Sequence, residues 1–544
     1  MSNDLAELRG RVGSEFDAVV VGAGFGGLYA LYKLREAGYS VKVLESASDI
    51  GGTWYFNRYP GARCDIESMS YSYSFSEELQ QEWEWSERYA AQPEILRYIN
   101  HVADRFDLRR YIQLDTRVAR VVYDEEKGRW LVETEAGEVL SGRFCMLATG
   151  CLSVPQKPSI KGLDSFEGDW YHTGFWPHQR IDFTGKRVGI IGTGSSGIQA
   201  IPLIAAEADH LTVFQRTPNY SIPAWNKPLT PDVVAEWKGR YGEIRERARR
   251  GQAGVGFEPR VCAAMEITAQ EQREELERRW RHGGLVMWET FTDVLSDERA
   301  NQVAADFVRE KIREKVKDPE LAEKLSPEGY PYGAKRICVD TDYYETFNRD
   351  NVSLVDLNEE PIEQVTPEGL RTAKRDYEFD ALVFATGFDA MTGPILKIGV
   401  VGRGGVTVAE KWAAGPRTYL GLMMAGFPNL FIIAGPGSPS VLSNMVVSIE
   451  QHVDWIADCL AHMEAQGFDW IEPTQAAEDD WTGHCNDRAS QTLFPQANSW
   501  YMGANIPGKP RVFMPYLGGV GPYRDICDEV AAKSYEGFAM TGQG

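Results

Sequence analysis

The chain has 544 residues, a length that predicts three or four folding units. Hydrophobic residues make up 43% and charged residues 25%, which is typical of a globular protein and excludes disorder, collagen and coiled coil for the chain as a whole. The formal net charge of −22 would repel phosphate backbones and anionic headgroups, so it argues against nucleic-acid and membrane-surface partners.

The N-terminal residues predict no secretion or import signal, because residues 1–13 include Asp4 and Glu7 and lack an apolar core. The longest apolar stretch, 419–437, is interrupted by glycine, proline and asparagine, so a membrane-spanning helix is not predicted. The eight cysteines are scattered without a Cys-x-x-Cys pair, a pattern typical of reduced thiols. We therefore expect a cytoplasmic protein.

The first strong motif is a glycine-rich turn between two predicted strands. Residues 16–21 form an apolar run typical of a buried parallel strand, residues 28–37 predict a helix, and residues 40–44 predict the next strand. The turn carries three glycines, Gly22, Gly24 and Gly27. Glycines there let a pyrophosphate approach the helix N-terminus, and Glu45 at the end of the second strand is placed to accept hydrogen bonds from ribose hydroxyls. The unit predicts a site for FAD or NAD.

The same unit recurs later in the chain with one informative difference. A predicted strand at 186–191 leads into a helix over 198–206, and the next strand, 211–215, ends in Arg216 and Thr217 instead of an acid. A guanidinium and a hydroxyl would hold a 2′-phosphate that a carboxylate would repel, so this site favours NADP. Two unlike nucleotide sites imply electron transfer between a nicotinamide and a flavin. The residues expected at the second turn are Gly192, Gly194, Ser195, Ser196, Gly197, Ile198 and Gln199.

Two apolar strands that end in Ala-Thr-Gly, at 144–150 and 381–387, mark where the chain leaves each nucleotide unit. The predicted fold class is α/β, with two Rossmann-like dinucleotide-binding domains, for FAD and NADP, and a helical insertion in the NADP domain. Residues 270–281 and 297–317 of the insertion have helical spacing, and its charge runs indicate solvated faces. The predicted order is residues 1–150 for the first part of the FAD domain, 151–224 for the first part of the NADP domain, 225–330 for the helical subdomain, 331–387 for the second part of the NADP domain and 388–544 for the second part of the FAD domain.

Four long motifs carry a specific resemblance. One links the two nucleotide units and reads Phe166-Glu-Gly168-Asp-Trp-Tyr-His172-Thr-Gly-Phe-Trp176-Pro177. The others occupy residues 51–65, 435–445 and 499–507. Together they resemble the signatures of type I Baeyer–Villiger monooxygenases, class B flavoprotein monooxygenases that insert one oxygen atom next to a ketone carbonyl. The resemblance extends over essentially the whole chain and is greatest for the phenylacetone and steroid monooxygenase branch.

The resemblance implies non-covalently bound FAD, NADPH as reductant and O₂ as co-substrate, with ketones converted to esters or lactones through a flavin C4a-peroxide. Arg336 would stabilise that peroxide and the later adduct, and Asp65 would accept hydrogen bonds from its guanidinium and position it. Lys335 would lie beside the NADP 2′-phosphate together with Arg216 and Thr217. Three further residues are assigned to NADP: Arg63, Arg336 itself and Trp500, the last folding over the nicotinamide and substrate.

The same resemblance assigns residues to the flavin and the substrate. Besides the glycines of the first turn, the residues expected to contact FAD are Glu45, Thr53, Trp54, Tyr55, Phe56, Asp65, Tyr71, Val118 and Met445. A loop that lines the pocket in phenylacetone-type members, and is shorter in cyclohexanone-type members, is matched by Ser440, Val441 and Leu442. His172 is assigned a hinge role, not acid–base catalysis, together with Phe166, Gly168, Trp176 and Pro177.

Three other functions are weighed against this one. N- or S-oxidising flavin monooxygenases usually carry Tyr or Phe where Trp176-Pro177 stands. A pyridine nucleotide–disulfide reductase needs a redox cysteine pair beside the flavin, where Cys64 stands alone. A flavoprotein sensor or binding module would hold both cofactors without turnover. The sequence has no Gly-x-Ser-x-Gly elbow, so no serine nucleophile is predicted. It also has no His-Glu-x-x-His motif, so no metal is predicted. The expected partner is a small-molecule ketone, and the expected assembly is a monomer or small homo-oligomer.

Overall fold

The structure, a computed structural model, describes residues 2–256 and 262–542, and its strands form two main sheets. Each main sheet carries one of the two glycine-rich turns at the end of a central strand. No helix among the described residues has the length and apolar character needed to cross a bilayer. Residues 257–261 of the predicted helical subdomain, together with Met1 and residues 543–544 of the predicted FAD domain, lie outside the described residues.

The large sheet contains the first glycine-rich turn. Its strands lie in the spatial order Val400–Val401, Val118–Asp124, Arg129–Thr134, Val139–Leu147, Val12–Val21, Val41–Leu44 and Ile112–Gln113, with Leu430–Ile432 paired to the end of Val139–Leu147. Val20 pairs in parallel register with Val43 on one side and Met146 on the other, and all three are buried. The strand Val12–Val21 begins before the predicted start at residue 16, because its exposed polar residues still pair with the strand Val139–Leu147.

The second sheet contains the second glycine-rich turn, and all of its strands are parallel. Their spatial order is Val352–Asp356, His210–Gln215, Arg187–Ile191, Ala381–Phe384 and Asp169–His172. Segments from before and after the insertion therefore form one sheet, as the discontinuous domain order predicts. The boundaries of the domains stay a prediction.

In both sheets an Ala-Thr-Gly strand end lies against the glycine-rich turn. A Cβ on Gly22 would lie 2.6 Å from the carbonyl oxygen of Ala148, and a Cβ on Gly192 would lie 2.5 Å from that of Ala385. Gly22 and Gly192 also have φ values of +105° and +108°, which side chains rarely adopt. The two units are thus duplicated in packing as well as in sequence.

Three small sheets complete the strands: the antiparallel set Ile362–Thr366, Gly369–Thr372 and Asp376–Glu378, the parallel pair Ser221–Pro223 and Cys338–Asp340, and the antiparallel pair Trp470–Pro473 and Phe538–Thr541. The α-helices outside the insertion are Ser2–Gly10, Phe25–Glu36, Thr53–Phe56, Glu77–Glu82, Gln92–Arg105, Ser195–Glu207, Tyr343–Thr346, Gly393–Leu396, Val408–Lys411, Met445–Gln466, Gln475–Ser490 and Val520–Ala532. Those of the insertion are Pro231–Gly239, Tyr241–Arg250, Ala269–His282, Glu298–Lys315 and Pro319–Leu325.

The insertion also contacts the large-sheet side of the molecule. The helix Tyr241–Arg250 packs against Val520–Ala532 near the C-terminus. From that helix, buried Arg245 donates hydrogen bonds to the carbonyl oxygen of Ser70 at 2.9 Å and to Ser72 Oγ at 2.7 Å. The insertion therefore bridges the two nucleotide-binding halves.

Candidate active site

The first glycine-rich turn leaves room for a ligand and none for a side chain. A Cβ on Gly27 would lie 1.8 Å from the carbonyl oxygen of Gly22, so the helix Phe25–Glu36 can approach the strand only with glycine there. Gly24 is the N-cap of this helix and provides no capping side chain. The unpaired N–H groups of the first turn of the helix are therefore available to an anion such as a pyrophosphate.

Glu45 is held rigidly at the end of the strand Val41–Leu44. The N–H of Ala23 donates to Glu45 Oε2 at 2.7 Å, and the N–H of Ala47 donates to Oε1 at 2.9 Å. The side chain is only 4% exposed. These bonds tie the carboxylate to the glycine-rich turn, which is the position that a ribose-binding acid needs.

The four residues after Gly52 form a short helix beside the first turn. Thr53 is exposed while Trp54 is buried, and Trp54 Nε1 donates to Tyr71 Oη at 3.2 Å. Met445 is the first residue of the helix Met445–Gln466, and Val118 begins a strand of the large sheet. The contacts of these side chains with a flavin stay a prediction.

The second turn repeats the glycine cradle, since a Cβ on Gly197 would lie 2.2 Å from the carbonyl oxygen of Gly192. Ser195 and Ser196 begin the helix Ser195–Glu207 and are partly exposed. Ile198 is fully buried in the core, so only its backbone could face a nucleotide.

Gln199 connects the two halves of the molecule. Tyr59 Oη donates to Gln199 Oε1 at 2.8 Å, and Gln199 Nε2 donates to the carbonyl oxygen of Arg63 at 3.2 Å. The Arg63 side chain in turn donates to the carbonyl oxygen of Tyr89 at 3.0 Å. The motif over residues 51–65 is therefore joined directly to the second nucleotide unit, a link that the sequence did not predict.

Arg216 and Lys335 form a pair of cations at the second nucleotide unit. Burial and the nearby Arg216 guanidinium lower the pKa of Lys335 to about 8. Within residues 2–256 and 262–542, no carboxylate forms an ion pair with either side chain; the ammonium group of Lys335 lies over the ring of Tyr330 instead. Thr217 follows Arg216, and its carbonyl oxygen accepts from Thr193 Oγ1 at 3.3 Å. Two cations without a carboxylate favour an anion between them, and a 2′-phosphate fits that requirement.

Arg336 and Asp65 come together across the two halves of the chain. Arg336 Nε and Nη2 donate to the same oxygen, Asp65 Oδ2, at 3.0 and 2.8 Å. Burial alone would lower the pKa of Arg336, but the charge of Asp65 and the hydroxyl of Tyr501 raise it above its ordinary value. The guanidinium therefore stays charged within a largely buried site, as the sequence analysis requires of it.

The pocket loop, Ser440–Leu442, contacts the same guanidinium. Arg336 Nη1 donates to the carbonyl oxygen of Val441 at 3.0 Å. Ser440 has a φ of +44°, and its hydroxyl donates to the carbonyl oxygen of Ala434 at 2.9 Å and lies 3.1 Å from Cys151 Sγ. The loop that is predicted to line the pocket is thus fixed at its start and also helps to hold the central cation.

The segment around Trp500 is fastened to the crossover that follows the second Ala-Thr-Gly sequence. Asn505 Nδ2 donates to the carbonyl oxygen of Phe388 at 2.7 Å, and Lys509 Nζ pairs with Asp389 Oδ1 at 2.6 Å. Trp500 is partly exposed in the turn Trp500–Met502. This segment covers the site from the C-terminal side, although its contact with a nicotinamide stays a prediction.

The linking motif contains a neutral, buried histidine. Gly174 N–H donates to His172 Nδ1 at 3.0 Å, so His172 Nε2 carries the proton and donates to Thr386 Oγ1 at 3.1 Å. Burial lowers the pKa of His172 to about 4. Because Thr386 also donates to the carbonyl oxygen of Gln156, His172 ties together the two crossings between the sheets. The imidazole therefore has no access for acid–base work, and its role as a hinge stays a prediction.

The rest of this motif is structural. A Cβ on Gly168 would lie 2.6 Å from the ring of Phe166 and 2.7 Å from the carbonyl oxygen of Asp380, which explains the glycine. Trp176 is buried against Tyr171, with ring centroids 5.3 Å apart, and Pro177 after it is partly exposed.

Two comparisons with protein families and curated proteins place these features in context. Residues 19–246 match the family model described as pyridine nucleotide-disulphide oxidoreductase, which spans less than half of the chain. All eight cysteines are free, so the match does not extend to a redox disulfide. Over 528 residues the chain is 46% identical to a Baeyer-Villiger monooxygenase of Pseudooceanicola batsensis, covering 96% of each protein. It is also 43% identical over 531 residues to the phenazine N-monooxygenase PhzNO1 of Lysobacter antibioticus, covering 97% of each.

Solved structures give the same picture. The oxidised steroid monooxygenase bound to NADP superposes with a TM-score of 0.94 at 54% identity, covering 97% of this chain and all of that one. The predicted α/β fold with two Rossmann-type nucleotide domains is thereby confirmed, and so is the use of FAD and NADP.

Proposed function

The chain belongs to the Baeyer–Villiger monooxygenases, NADPH-dependent flavin enzymes, and from that premise we propose that Arg336 and Asp65 serve the insertion of one oxygen atom next to a ketone carbonyl. The observation that carries the proposal is the pair itself, a charged guanidinium oriented by a carboxylate from the other half of the chain and touching the pocket loop.

The residues present fit both nucleotides. The first glycine cradle and Glu45 would hold FAD, and the second cradle with Arg216 and Lys335 would hold NADPH. When bound, the flavin takes up electrons from NADPH and supplies the oxygen atom from O₂. The protein's contribution is then to bind, orient and exclude water.

Arg336 has the properties that such an oxygen transfer needs from the protein. Negative charge builds up on oxygen when a nucleophile attacks a ketone, and a fixed cation in a dry site stabilises that charge. Asp65 accepts two of the five N–H bonds and Val441 a third, which leaves an edge of the guanidinium for the reacting oxygen. Asp65 is therefore proposed as the positioning residue and Arg336 as the catalytic one.

The substrate is proposed to enter between the pocket loop and the turn that contains Trp500. The relatives named above include a steroid monooxygenase, so bulky ketones belong in the first substrate panel, beside aryl and small cyclic ketones.

The test is Arg336→Ala, compared with wild-type enzyme under ¹⁸O₂ with that ketone panel. We expect ester or lactone formation to fall by about two to three orders of magnitude, as with the removal of an oxyanion donor, while reduction of the flavin by NADPH continues. Mass spectrometry of the products, which should carry one ¹⁸O atom in wild type, measures the first effect, and bleaching of the flavin absorbance measures the second. Ester formation by the variant at the wild-type rate would remove Arg336 from the proposed role.

A second candidate function is oxygenation of nitrogen. It is favoured by the likeness to a phenazine N-monooxygenase, which extends over nearly the whole chain. An aromatic N-heterocycle in the same ¹⁸O₂ assay separates the two: N-oxide without ester from any ketone would make nitrogen oxidation the function. Transfer to nitrogen does not require a cation to stabilise an attacked carbonyl, so it should also withstand Arg336→Ala better than ester formation.

A further inference from the structure

Tyr501 is a buried residue whose hydroxyl lies beside Arg336 without a well-formed hydrogen bond. It lies in the turn Trp500–Met502 and is 0% exposed. Its ring packs against Phe494 and Phe513, with centroids 5.8 and 6.0 Å away. Its hydroxyl has no partner among the described residues at full hydrogen-bond geometry, although the Arg336 guanidinium lies close enough to interact with it. A buried hydroxyl without a partner carries a desolvation penalty that phenylalanine would avoid.

The Arg336 guanidinium lies beside this hydroxyl and still has N–H groups to donate. Three N–H bonds of Arg336 are occupied, two by Asp65 and one by Val441. A guanidinium has five, so one N–H on Nη1 and one on Nη2 remain, and these two are called the open edge. Tyr501 and Arg336 influence each other's ionisation: burial raises the pKa of Tyr501 to about 12, and the guanidinium opposes that rise.

A hydrogen bond between Tyr501 and Arg336 would link the guanidinium to the segment that contains Trp500. Asp65 and Val441 accept three hydrogen bonds from the guanidinium and hold it from two sides. Tyr501 follows Trp500 in the segment 499–509, which we call the strap. Asn505 and Lys509 of the strap bind Phe388 and Asp389 at the crossover between the two sheets. A contact from Tyr501 would therefore make the position of the guanidinium depend on the position of this strap.

We propose that Tyr501 is a positioning residue for Arg336: in the loaded enzyme its hydroxyl accepts a hydrogen bond from the open edge of the guanidinium and leaves one N–H for the reacting oxygen. The inference rests on the proposed function of Arg336. It assigns Tyr501 no contact with substrate and no proton transfer.

Tyr501→Phe tests the proposal because it removes the hydroxyl and keeps the ring packing. With a ketone, NADPH and O₂, we expect the ratio of ester to released H₂O₂ to fall about tenfold, the effect of one hydrogen bond to a charged group. The KM for NADPH and the rate of flavin reduction should stay within about twofold of wild type, since neither needs the open edge of Arg336. A change confined to packing would alter stability without this split.

The matched control is Tyr39→Phe. Tyr39 is also buried and its hydroxyl also makes no bond at full hydrogen-bond geometry, but the neighbour of that hydroxyl is Glu464 and the ring packs against Phe144 of the large sheet. We expect wild-type coupling from it. Arg336→Ala in the same assay separates the two proposals: if it abolishes ester formation while Tyr501→Phe behaves as wild type, only the role of Tyr501 is wrong. If Arg336→Ala also leaves ester formation intact, the proposed function of Arg336 itself fails.

A second readout needs no activity and no variant. In a crystal structure of the wild-type enzyme with FAD and NADP⁺, Tyr501 Oη should lie within about 3.2 Å of Nη1 or Nη2 of Arg336. A separation too long for a hydrogen bond, in a structure that keeps the Asn505–Phe388 and Lys509–Asp389 contacts, would overturn the proposal.

Discussion

At the scale of single residues, the two cations at the second nucleotide unit are the feature most open to direct test. Arg216 directly follows the strand His210–Gln215, and Lys335 precedes Arg336 on a different segment. Their mutual repulsion in a partly buried place has no compensating carboxylate in the described chain. The cost is offset only when an anion binds, so protonation of Lys335 and binding of a 2′-phosphate must be linked.

Lys335 should make the affinity for NADP⁺ fall as the pH rises through about 8. Its pKa is lowered to about 8, so the ammonium is charged below that pH and neutral above it, and only the charged form attracts the phosphate. From pH 7 to 9.5 we expect the Kd of NADP⁺ to rise about tenfold through loss of this charge. Titration of the oxidised enzyme with NADP⁺ measures it.

NAD⁺, which lacks the 2′-phosphate, and the Lys335→Met variant are the controls for this pH dependence, and both should give flat profiles. An equal rise for NAD⁺ would show that the pH acts elsewhere. A flat profile for NADP⁺ in the wild-type enzyme would mean that Lys335 does not bind the phosphate.

Motifs and the family resemblance name the candidate residues of this site, but not how its parts are joined. Glu45, Asp65 and Arg336 were found because each ends or follows a recognisable motif. Tyr501, by contrast, follows Trp500 in a motif whose assigned residue is the tryptophan. Its proposed role rests on a buried hydroxyl that lies beside Arg336 without a well-formed hydrogen bond. That is a three-dimensional property with no pattern in the chain. The Tyr59–Gln199 bond was missed for the same reason.

At the scale of elements, the glycine-rich turns separate two reasons for glycine. Within the second turn, Gly197 is needed for folding because a Cβ would lie 2.2 Å from a backbone oxygen. Gly194 is different: a Cβ there would meet no protein atom within 4 Å, and its φ of −81° suits any residue. The open space in front of Gly194 is where a pyrophosphate would approach the helix N-terminus.

Gly194→Ala should therefore leave the fold intact and weaken NADP⁺ binding. We expect the Kd of NADP⁺ to rise at least about tenfold through loss of the close approach, with the thermal midpoint and the flavin content unchanged. The matched variant is Gly197→Ala, which should lower the thermal midpoint itself, since it clashes with the carbonyl of Gly192. Calorimetric titration and thermal unfolding measure the two effects. Wild-type affinity in Gly194→Ala would place the pyrophosphate elsewhere.

Element positions were predictable wherever periodicity and glycine agreed. The predicted helices at 270–281 and 297–317 correspond to Ala269–His282 and Glu298–Lys315. Thr268 and Asp297 are the N-caps that set where these helices begin. Periodicity does not predict which other element each helix face packs against. The helix Tyr241–Arg250 belongs by sequence to the insertion, but it packs against the C-terminal helix Val520–Ala532, nearly 300 residues away.

At the scale of the whole molecule, the insertion connects the two nucleotide-binding halves through one buried arginine. Arg245 is 5% exposed and donates to the backbone oxygens of Met69 and Ser70 and to the side chains of Ser72 and Gln80. These acceptors lie within residues 69–80, in the segment that follows the 51–65 motif and includes Tyr71. The insertion thus supports the flavin side of the site although it is inserted into the other domain.

Arg245→Met should uncouple the insertion from the flavin side and release flavin at lower temperature. Four acceptors lose their buried donor, which we expect to cost about 3 kcal/mol in the free energy of unfolding. Flavin fluorescence, which rises when the cofactor leaves, should show a lower midpoint than circular dichroism of the helices, whereas in wild type we expect the two transitions to coincide. Arg240→Met is the matched control, because exposed Arg240 pairs only with Glu236 and Glu243 beside it and its loss should leave both midpoints in place. If Arg245→Met lowers both midpoints together, the two halves unfold as one unit and Arg245 stabilises the whole without linking separate parts; if neither moves, the buried bonds contribute no net stability.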